Sequence, residues 1–196
     1  MSDQNIVRLF TESGALLHGH FKLTSGRHSD VYYEKFTLLK NPAICTQICK
    51  AMADRFAGSG ATAVVGPTTG GIIIAYDVAR YMGIEALYAE AGDTGKGRVF
   101  KRGFSLDPGQ KIVIVDDVLT TGTSLQEVID LVKSYQATIV GVGVFLDRSG
   151  RSHPGFDYPF FPLAKVSAES WEPDKCPLCA KGIEITQRGS RKFQKA

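Results

Sequence analysis

Long hydrophobic runs are missing from this sequence of 196 residues. No stretch approaches the roughly 20 apolar residues that a helix needs to cross a bilayer. The N-terminal stretch MSDQNIVRLF also lacks the basic head and apolar core of a signal peptide. Hydrophobic residues make up 43% of the chain and charged residues 22%, which is typical of a globular protein. We therefore expect a single domain over residues 1–196, located in the cytoplasm and without membrane contact.

A strong excess of either charge is also missing. The formal net charge is +3. Four basic residues stand in the C-terminal tail, and the remainder of the chain carries 19 basic and 20 acidic residues. The four are Arg188, Arg191, Lys192 and Lys195. This distribution argues against a basic nucleic-acid-binding body, so we expect no nucleic-acid partner. A regulatory RNA-binding protein remains an alternative, because the tail itself is basic.

Cysteine is scarce, with Cys45, Cys49, Cys176 and Cys179 as its only occurrences. The segment CPLC has the spacing of half a zinc site, but a closed site needs four ligands. Cys45 and Cys49 lie four apart on a predicted helix, where we expect small core residues. No metal-ligand spacing is visible among the four histidines, His18, His20, His28 and His153. We expect these histidines to be at the surface or partly packed, and zinc binding by Cys176 and Cys179 stays open.

The common nucleotide-binding motifs are absent too. There is no GxxxxGK[ST] loop, and GxGxxG does not follow a predicted strand, while GDTGKG has neither the spacing nor the context. What the chain has is a regular alternation. TAVVG, EALYAE, KIVIV and TIVGVGVFLD predict strands, and the segments that begin at Asn41-Pro42, GIIIAYDVARYMG and SLQEVIDLVKSY predict helices. This order indicates an α/β fold with a parallel twisted sheet flanked by helices.

Helical spacing also predicts which sides of these helices are buried. The expected core residues of the first two are Ile44, Ile48, Met52 and Phe56, followed by Ile72, Tyr76, Ala79 and Met82. Those of the third are Leu125, Val128, Ile129 and Val132, after a capping box of Ser124 and Glu127. Near the N-terminus, NIVRLFTESG predicts a short helix and VYYEKF a strand.

The stretch KIVIVDDVLTTGTS carries the strongest chemical signal. Asp116 and Asp117 end an apolar strand, and a loop rich in N–H and O–H donors follows before a helix begins at about Ser124. Such a loop suits a phosphate monoester. Carboxylates would repel that phosphate directly, but they can hold the hydroxyls of a sugar a few ångströms away. A purely structural alternative is that both aspartates cap the turn. It is the weaker interpretation, because two adjacent acids stand shortly before TTGTS.

This stretch resembles the ribose-phosphate signature of the type I phosphoribosyltransferases, which use 5-phosphoribosyl 1-pyrophosphate. The long polar segment 91–104 before the signature strand is similar to that family's flexible loop. GALLHGHFKLTSGRHSDVYYEK, LDRSG and the CPLC tail that ends in GSR resemble the orotate-specific members. The resemblance implies a small N-terminal hood of residues 1–40 with the C-terminal segment 160–196, and a core of residues 41–159.

The resemblance also implies the reaction and the residues that serve it. Orotate and the pyrophosphate donor would give orotidine 5′-monophosphate and pyrophosphate, with Mg²⁺ as cofactor held mainly by the substrate rather than by the protein. The expected catalytic residues are Asp116, Asp117, Lys96, Arg98 and Lys101. The expected donor-binding residues are Asp116, Asp117, Val118, Leu119, Thr120, Thr121, Gly122, Thr123, Ser124, Thr69 and Gly70. The expected orotate-binding residues are Thr120, Arg148, Tyr32, Tyr33 and Arg27.

A homodimer with shared active sites is implied as well, because the family's loop reaches into a neighbouring subunit. The sequence departs from the family pattern at Thr24 and Gly70, where lysines are usual, and its loop has no histidine. Arg27 or Lys22 is the expected replacement in the first segment. A phosphoribosyltransferase for another base remains the alternative within the family.

Overall fold

The computed structural model describes residues 3–23, 25–166 and 169–187. Thr24 and the basic tail residues lie outside these ranges. The helices are α1 Asp3–Glu12, α2 Lys35–Leu39, α3 Pro42–Arg55, α4 Gly70–Met82, α5 Thr123–Ser134 and α6 Pro177–Ala180. The strands are β1 Leu16–Lys22, β2 His28–Tyr33, β3 Ala63–Pro67, β4 Glu85–Ala91, β5 Arg98–Val99, β6 Lys111–Leu119, β7 Thr138–Asp147, β8 Phe160–Lys165, β9 Ser170–Trp171 and β10 Thr186–Gln187. None of the described helices is long and apolar enough to cross a membrane.

The central layer is a six-stranded sheet in the order β5-β4-β3-β6-β7-β8. All neighbouring strands run parallel except β5, which pairs antiparallel with β4. Strands β3, β6 and β7 are almost wholly buried, as the continuous apolar runs predict. The α/β class and the flanked, mostly parallel sheet are therefore confirmed.

Alternate residues of each strand serve two separate cores. Val113 and Val115 of β6 face the core that includes buried residues of α1, α3 and α4, whereas Ile112 and Ile114 face the core that includes α5. This alternation follows from the two-residue period of a strand. It places a helical layer on each face and leaves the carboxyl edge of the sheet open to the loops.

Helix α4 turns a different face to the core from the predicted one. Ile74 and Val78 are buried, whereas Tyr76 is 66% exposed and Ile73 is 43% exposed. The prediction of Ile72 and Tyr76 as core residues was therefore wrong for Tyr76, and Ile72 is only half-buried. Apolar residues stand on nearly every side of GIIIAYDVARYM, so periodicity alone did not define one face.

The hood of the structure is a four-stranded sheet in the order β10-β1-β2-β9, built from residues 16–33 and 169–187. Two elements from the segments expected to form the hood, residues 1–40 and 160–196, contact the core. Strand β8 joins the central sheet beside β7. Helix α1 belongs to the core, because it buries Ile6 and Phe10 in the cluster that also holds Leu163 of β8. Strands β1 and β2 form an antiparallel pair. The sequence predicted a strand in the region of β2 but none in the segment of β1.

Candidate active site

Asp116 and Asp117 lie near the C-terminal end of β6, which continues to Leu119. Both are buried, at 7% and 4% exposure. The backbone N–H of Asp117 donates a hydrogen bond to Asp116 Oδ1 at 2.8 Å. Burial, and secondly the neighbouring charge of Asp117, raise the pKa of Asp116 to about 7. The site therefore holds a closely spaced acid pair whose ionisation is costly without a ligand or cation.

Lys35 supplies a cation that the sequence did not reveal. Its Nζ lies 2.9 Å from Asp117 Oδ2. Burial is the largest single influence on the pKa of Lys35 and lowers it, but the attraction and close polar contact of Asp117, together with the charges of Asp116 and Tyr32, raise this pKa above its ordinary value. Asp117 Oδ2 accepts no hydrogen bond of acceptable geometry within the described part of the chain. Its contact with Lys35 Nζ is therefore an ion pair whose geometry is not that of a hydrogen bond. The segment VYYEKF predicted only a strand. In the structure this strand ends at Tyr33, and Lys35 begins α2 instead of continuing it.

Gly70, the first residue of α4, packs directly against the acid pair. A Cβ at this position would lie 2.6 Å from Asp117 Oδ2 and 3.1 Å from Leu39 Cδ1. Asp117 can approach the start of α4 only because residue 70 has no side chain. In this arrangement a lysine at position 70 would not fit, and the ammonium of Lys35 stands beside Asp117 instead. Thr69 immediately precedes Gly70 and is exposed at the same edge.

The signature loop runs from Thr120 to the start of α5 at Thr123. Gly122 precedes the helix with φ of 86°, a left-handed conformation that favours glycine. The predicted capping box is wrong, since no side chain caps this helix. The unpaired N–H groups at the start of a helix such as α5 suit an anion. Thr121, Gly122 and Thr123 line a surface cavity of about 330 Å³ together with Arg151.

Arg98 joins two of the site's loops. Its guanidinium donates to Thr68 Oγ1 at 3.0 Å and to Ser124 Oγ at 3.3 Å. Its Nε lies 3.2 Å from Glu127 Oε2, so Glu127 pairs with Arg98 rather than with the helix start. The polar segment is thus partly ordered as a β4–β5 hairpin on its own chain.

The other cations of this segment are exposed. Lys101 Nζ lies 2.8 Å from Asp93 Oδ1, and Arg102 Nε lies 3.2 Å from Glu90 Oε1. Lys96 is exposed at the tip of the hairpin. Unlike Arg98, these three side chains are held only by surface contacts or extend into solvent.

Arg148 stands at the carboxyl edge of β7, next to the signature loop. Its backbone N–H donates to Leu119 O at 2.9 Å, and its Cζ lies 4.5 Å from the centre of the Tyr33 ring. Burial lowers the pKa of Arg148, and burial raises the pKa of Tyr33. Arg148 Nε is buried without a hydrogen-bond partner among the described residues. Asp147 accepts hydrogen bonds from Ser149 instead of pairing with Arg148.

Not every predicted residue joins this constellation. Arg27 precedes β2 and lies about 20 Å along the strand from Tyr33. Its guanidinium bonds to Ser170 and Glu172 of the C-terminal segment. Tyr32 packs against Phe21. The structure thus brings Tyr33 and Arg148 together and keeps Arg27 apart from them, and Lys22 is exposed on β1.

The chain is similar to known proteins over nearly its whole length. The sequence model of the phosphoribosyl transferase domain matches residues 36–161. The orotate phosphoribosyltransferase of Desulforamulus reducens is 43% identical, with 98% of this chain and 100% of the relative covered. That of Pelotomaculum thermopropionicum is 42% identical, with 98% and 100% covered. The crystal structure of the Aeropyrum pernix orotate phosphoribosyltransferase matches with a TM-score of 0.71 at 26% identity, covering 82% of this chain and 93% of that one.

Proposed function

The chain belongs to the phosphoribosyltransferase family, among its orotate phosphoribosyltransferases, and on this premise we propose that it transfers phosphoribosyl to orotate. The donor is 5-phosphoribosyl 1-pyrophosphate. The products are orotidine 5′-monophosphate and pyrophosphate, in the synthesis of UMP. The observation that carries the proposal is that the acid pair Asp116 and Asp117 is followed by a phosphate-type loop, and that Arg148, stacked on Tyr33, is hydrogen-bonded to Leu119 at the end of the same strand.

The donor would bind along the carboxyl end of β6. The 5′-phosphate suits the loop from Thr120 to Ser124, where backbone N–H groups, hydroxyls and the helix dipole all favour an anion. The ribose 2′ and 3′ hydroxyls suit the carboxylates of Asp116 and Asp117. As the bond to pyrophosphate breaks, positive charge develops at C1 of the ribose, and these carboxylates stabilise it.

Orotate would be recognised through its carboxylate by Arg148. A guanidinium forms two parallel hydrogen bonds with a carboxylate, and Arg148 Nε is a buried donor that lacks a partner among the described residues. The Tyr33 ring under this guanidinium fixes its plane. Uracil lacks the carboxylate, so this feature favours orotate over a phosphoribosyltransferase reaction with uracil.

The leaving pyrophosphate needs cations. Lys35 and Arg98 are placed at the site by contacts within their own chain. Lys96 and Lys101 are on or just after the exposed hairpin, from which they can close over the leaving group and exclude water. These residues complete the proposed catalytic set with the two aspartates.

Mg²⁺ is the cofactor that the family implies, and the residues fit it in a limited way. The carboxylate oxygens of Asp116 and Asp117 are ligands that a hard divalent cation prefers. However, Lys35 Nζ already lies 2.9 Å from Asp117 Oδ2 and competes for it. The fit is therefore to an ion held mainly by the oxygens of the substrate, with the aspartates supporting it. When bound, Mg²⁺ neutralises charge that develops on pyrophosphate.

We also propose a homodimer with shared sites, acting in the cytoplasm. Ile73, Tyr76 and Tyr81 expose apolar surface on α4, and Ile73 and Tyr76 line a groove of about 390 Å³. Exposed apolar surface of this kind is typical of protein interfaces. None of the four cysteines, all of which lie in the described residues, forms a disulfide, which is typical of a reducing compartment.

The experiment that tests the function is a base panel. Purified protein is incubated with the pyrophosphate donor, Mg²⁺ and one base at a time, namely orotate, uracil, adenine or hypoxanthine. We expect spectrophotometric loss of orotate and formation of orotidine 5′-monophosphate, without turnover of the other bases. Preferential use of another base would overturn the proposal in favour of a different phosphoribosyltransferase.

A further inference from the structure

Four potential metal ligands meet where the hood hairpin contacts the C-terminal segment. They are His20 on β1, His28 on β2, and Cys176 and Cys179 at α6. One ligand atom from each lies within 4.8 Å of all the others. The expectation that His20 and His28 are at the surface or partly packed was wrong, since they are only 2% and 4% exposed. Their spacing in sequence gave no signal, because the fold joins segments more than a hundred residues apart.

Four of the six distances between these atoms are close to the edges of a zinc tetrahedron, and the other two are no longer than 4.8 Å. Bond lengths of zinc to nitrogen and sulfur imply edges of about 3.3 Å for N–N and about 3.6 Å for N–S. His20 Nε2 lies 3.1 Å from His28 Nδ1 and 3.5 Å from Cys176 Sγ. Cys179 Sγ lies 3.7 Å from His20 Nε2 and 3.3 Å from His28 Nδ1. One ion at the centre would therefore need only small adjustments of the side chains.

The hydrogen bond on the far side of His20 prepares it as a ligand. His20 Nδ1 lies 2.7 Å from the backbone carbonyl oxygen of Ile183. A carbonyl only accepts, so Nδ1 carries the proton and Nε2 presents its lone pair to the cluster. Outer contacts of this kind orient the histidines of metal sites.

The described residues of the hood also form no apolar core that could hold it together. Its buried residues, among those described, are His20, Phe21, His28, Ser29 and Cys176. Phe21 is the one large apolar side chain among them, and β9 and β10 contribute two residues each to the sheet. Small units without a sufficient core commonly depend on a metal or a covalent link.

We propose that His20, His28, Cys176 and Cys179 bind one Zn²⁺ ion in a closed, structural site. Two thiolates and two imidazoles in a tetrahedral arrangement are a typical ligand set for zinc. The ion would fasten the C-terminal segment to the β1–β2 hairpin. Strand β2 of that hairpin ends at Tyr33, and Lys35 begins α2 two residues later, so the metal would indirectly fix the position of two groups of the proposed active site.

Metal content and affinity give the first test. Untagged protein is made metal-free, titrated with Zn²⁺ against a competing chelator, and separately loaded with Co²⁺. We expect one zinc per chain and the absorption of tetrahedral cobalt with thiolate ligands. The variant Cys179→Ala should bind zinc at least about 100-fold more weakly, because even changes outside the ligand shell cost about 10–100-fold. Cys179 is exposed, so its removal leaves no cavity.

Cys45→Ala is the matched control, because Cys45 is a free cysteine of the α3 core. It should keep wild-type zinc affinity. Chelation should lower the unfolding temperature of the wild type and of Cys45→Ala, and leave Cys179→Ala unchanged. Less than one zinc per chain, equal affinity in Cys179→Ala, or an unfolding temperature insensitive to chelation would each overturn the proposal. None of these measurements uses orotate turnover, so they stand or fall independently of the proposed function.

Discussion

At the scale of single residues, ionisation of the buried carboxyl of Asp116, which the proposed function requires, lowers the stability of the fold. Its pKa is raised from 3.8 to about 7, so the folded chain binds this proton more tightly than the unfolded chain. The stability that this residue contributes is therefore complete below about pH 4 and is lost as pH rises through about 7. In the proposed function, the ionised form of this buried carboxyl is the form that acts on the substrate.

Replacement of Asp116 by Asn should show this conflict directly. We expect Asp116→Asn to raise the free energy of unfolding by about 2–4 kcal/mol at pH 8, with a gain that shrinks towards pH 4. Turnover of orotate should fall at the same time. Denaturant unfolding at both pH values, with turnover at pH 8, is the measurement. A variant that is less stable than the wild type at pH 8 would contradict the assigned burial cost.

Arg148 is the residue whose guanidinium should determine which base the protein uses. Arg148→Lys keeps the charge but loses the paired donors, and we expect the KM for orotate to rise by about 10–100-fold. The KM for 5-phosphoribosyl 1-pyrophosphate serves as the internal control and should hardly change. If neither Arg148→Lys nor Arg148→Ala alters the KM for orotate, the carboxylate is bound elsewhere.

Single residues also show where sequence reasoning ends. The pattern of Asp116, Asp117 and TTGTS identified a site whose members are consecutive in the chain. Lys35, His20 and His28 were missed because they contact their partners only through the tertiary fold: Lys35 meets Asp117, more than eighty positions away. Arg27 was expected near the orotate site from a resemblance, whereas its guanidinium bonds to Ser170 and Glu172.

At the scale of elements, strands and helices of the α/β core were predictable, because each has its own periodicity. The sides of the helices were less so. In α5 the apolar positions form one stripe, and Leu125, Val128, Ile129 and Val132 are buried as predicted. In α4 apolar residues surround the helix, and the central sheet selected Ile74 and Val78. The short strands β9 and β10 have too few residues to give a pattern of their own.

The exposed side of α4 leads to a prediction for assembly. Ile73→Glu should weaken the proposed dimer by at least about 30-fold, because it would bury a charge in an apolar contact. Ile185→Glu is the matched control, as Ile185 is 40% exposed and Ile73 is 43% exposed. Sedimentation over a range of concentrations measures both. Dissociation of both variants alike, or of neither, would exclude the α4 face as the interface.

At the scale of the whole molecule, the exposed hairpin predicts cooperation between subunits. Lys101→Ala and Asp117→Asn should each be nearly inactive, but a mixture of the two should regain activity after subunits exchange. Hybrid dimers would contain one intact site, with an intact loop from one chain and intact acids from the other. Verified exchange without recovery would mean that each hairpin serves its own chain.

The central claim is that the acid pair at the end of β6 stabilises the charge developed at the ribose. Its most direct test is the turnover number for orotate in Asp116→Asn/Asp117→Asn, which keeps the size of both side chains and removes their charge. We expect a fall of at least about 100-fold, the scale of one lost electrostatic stabiliser, in a protein that remains folded. Turnover near that of the wild type in the folded double variant would contradict it.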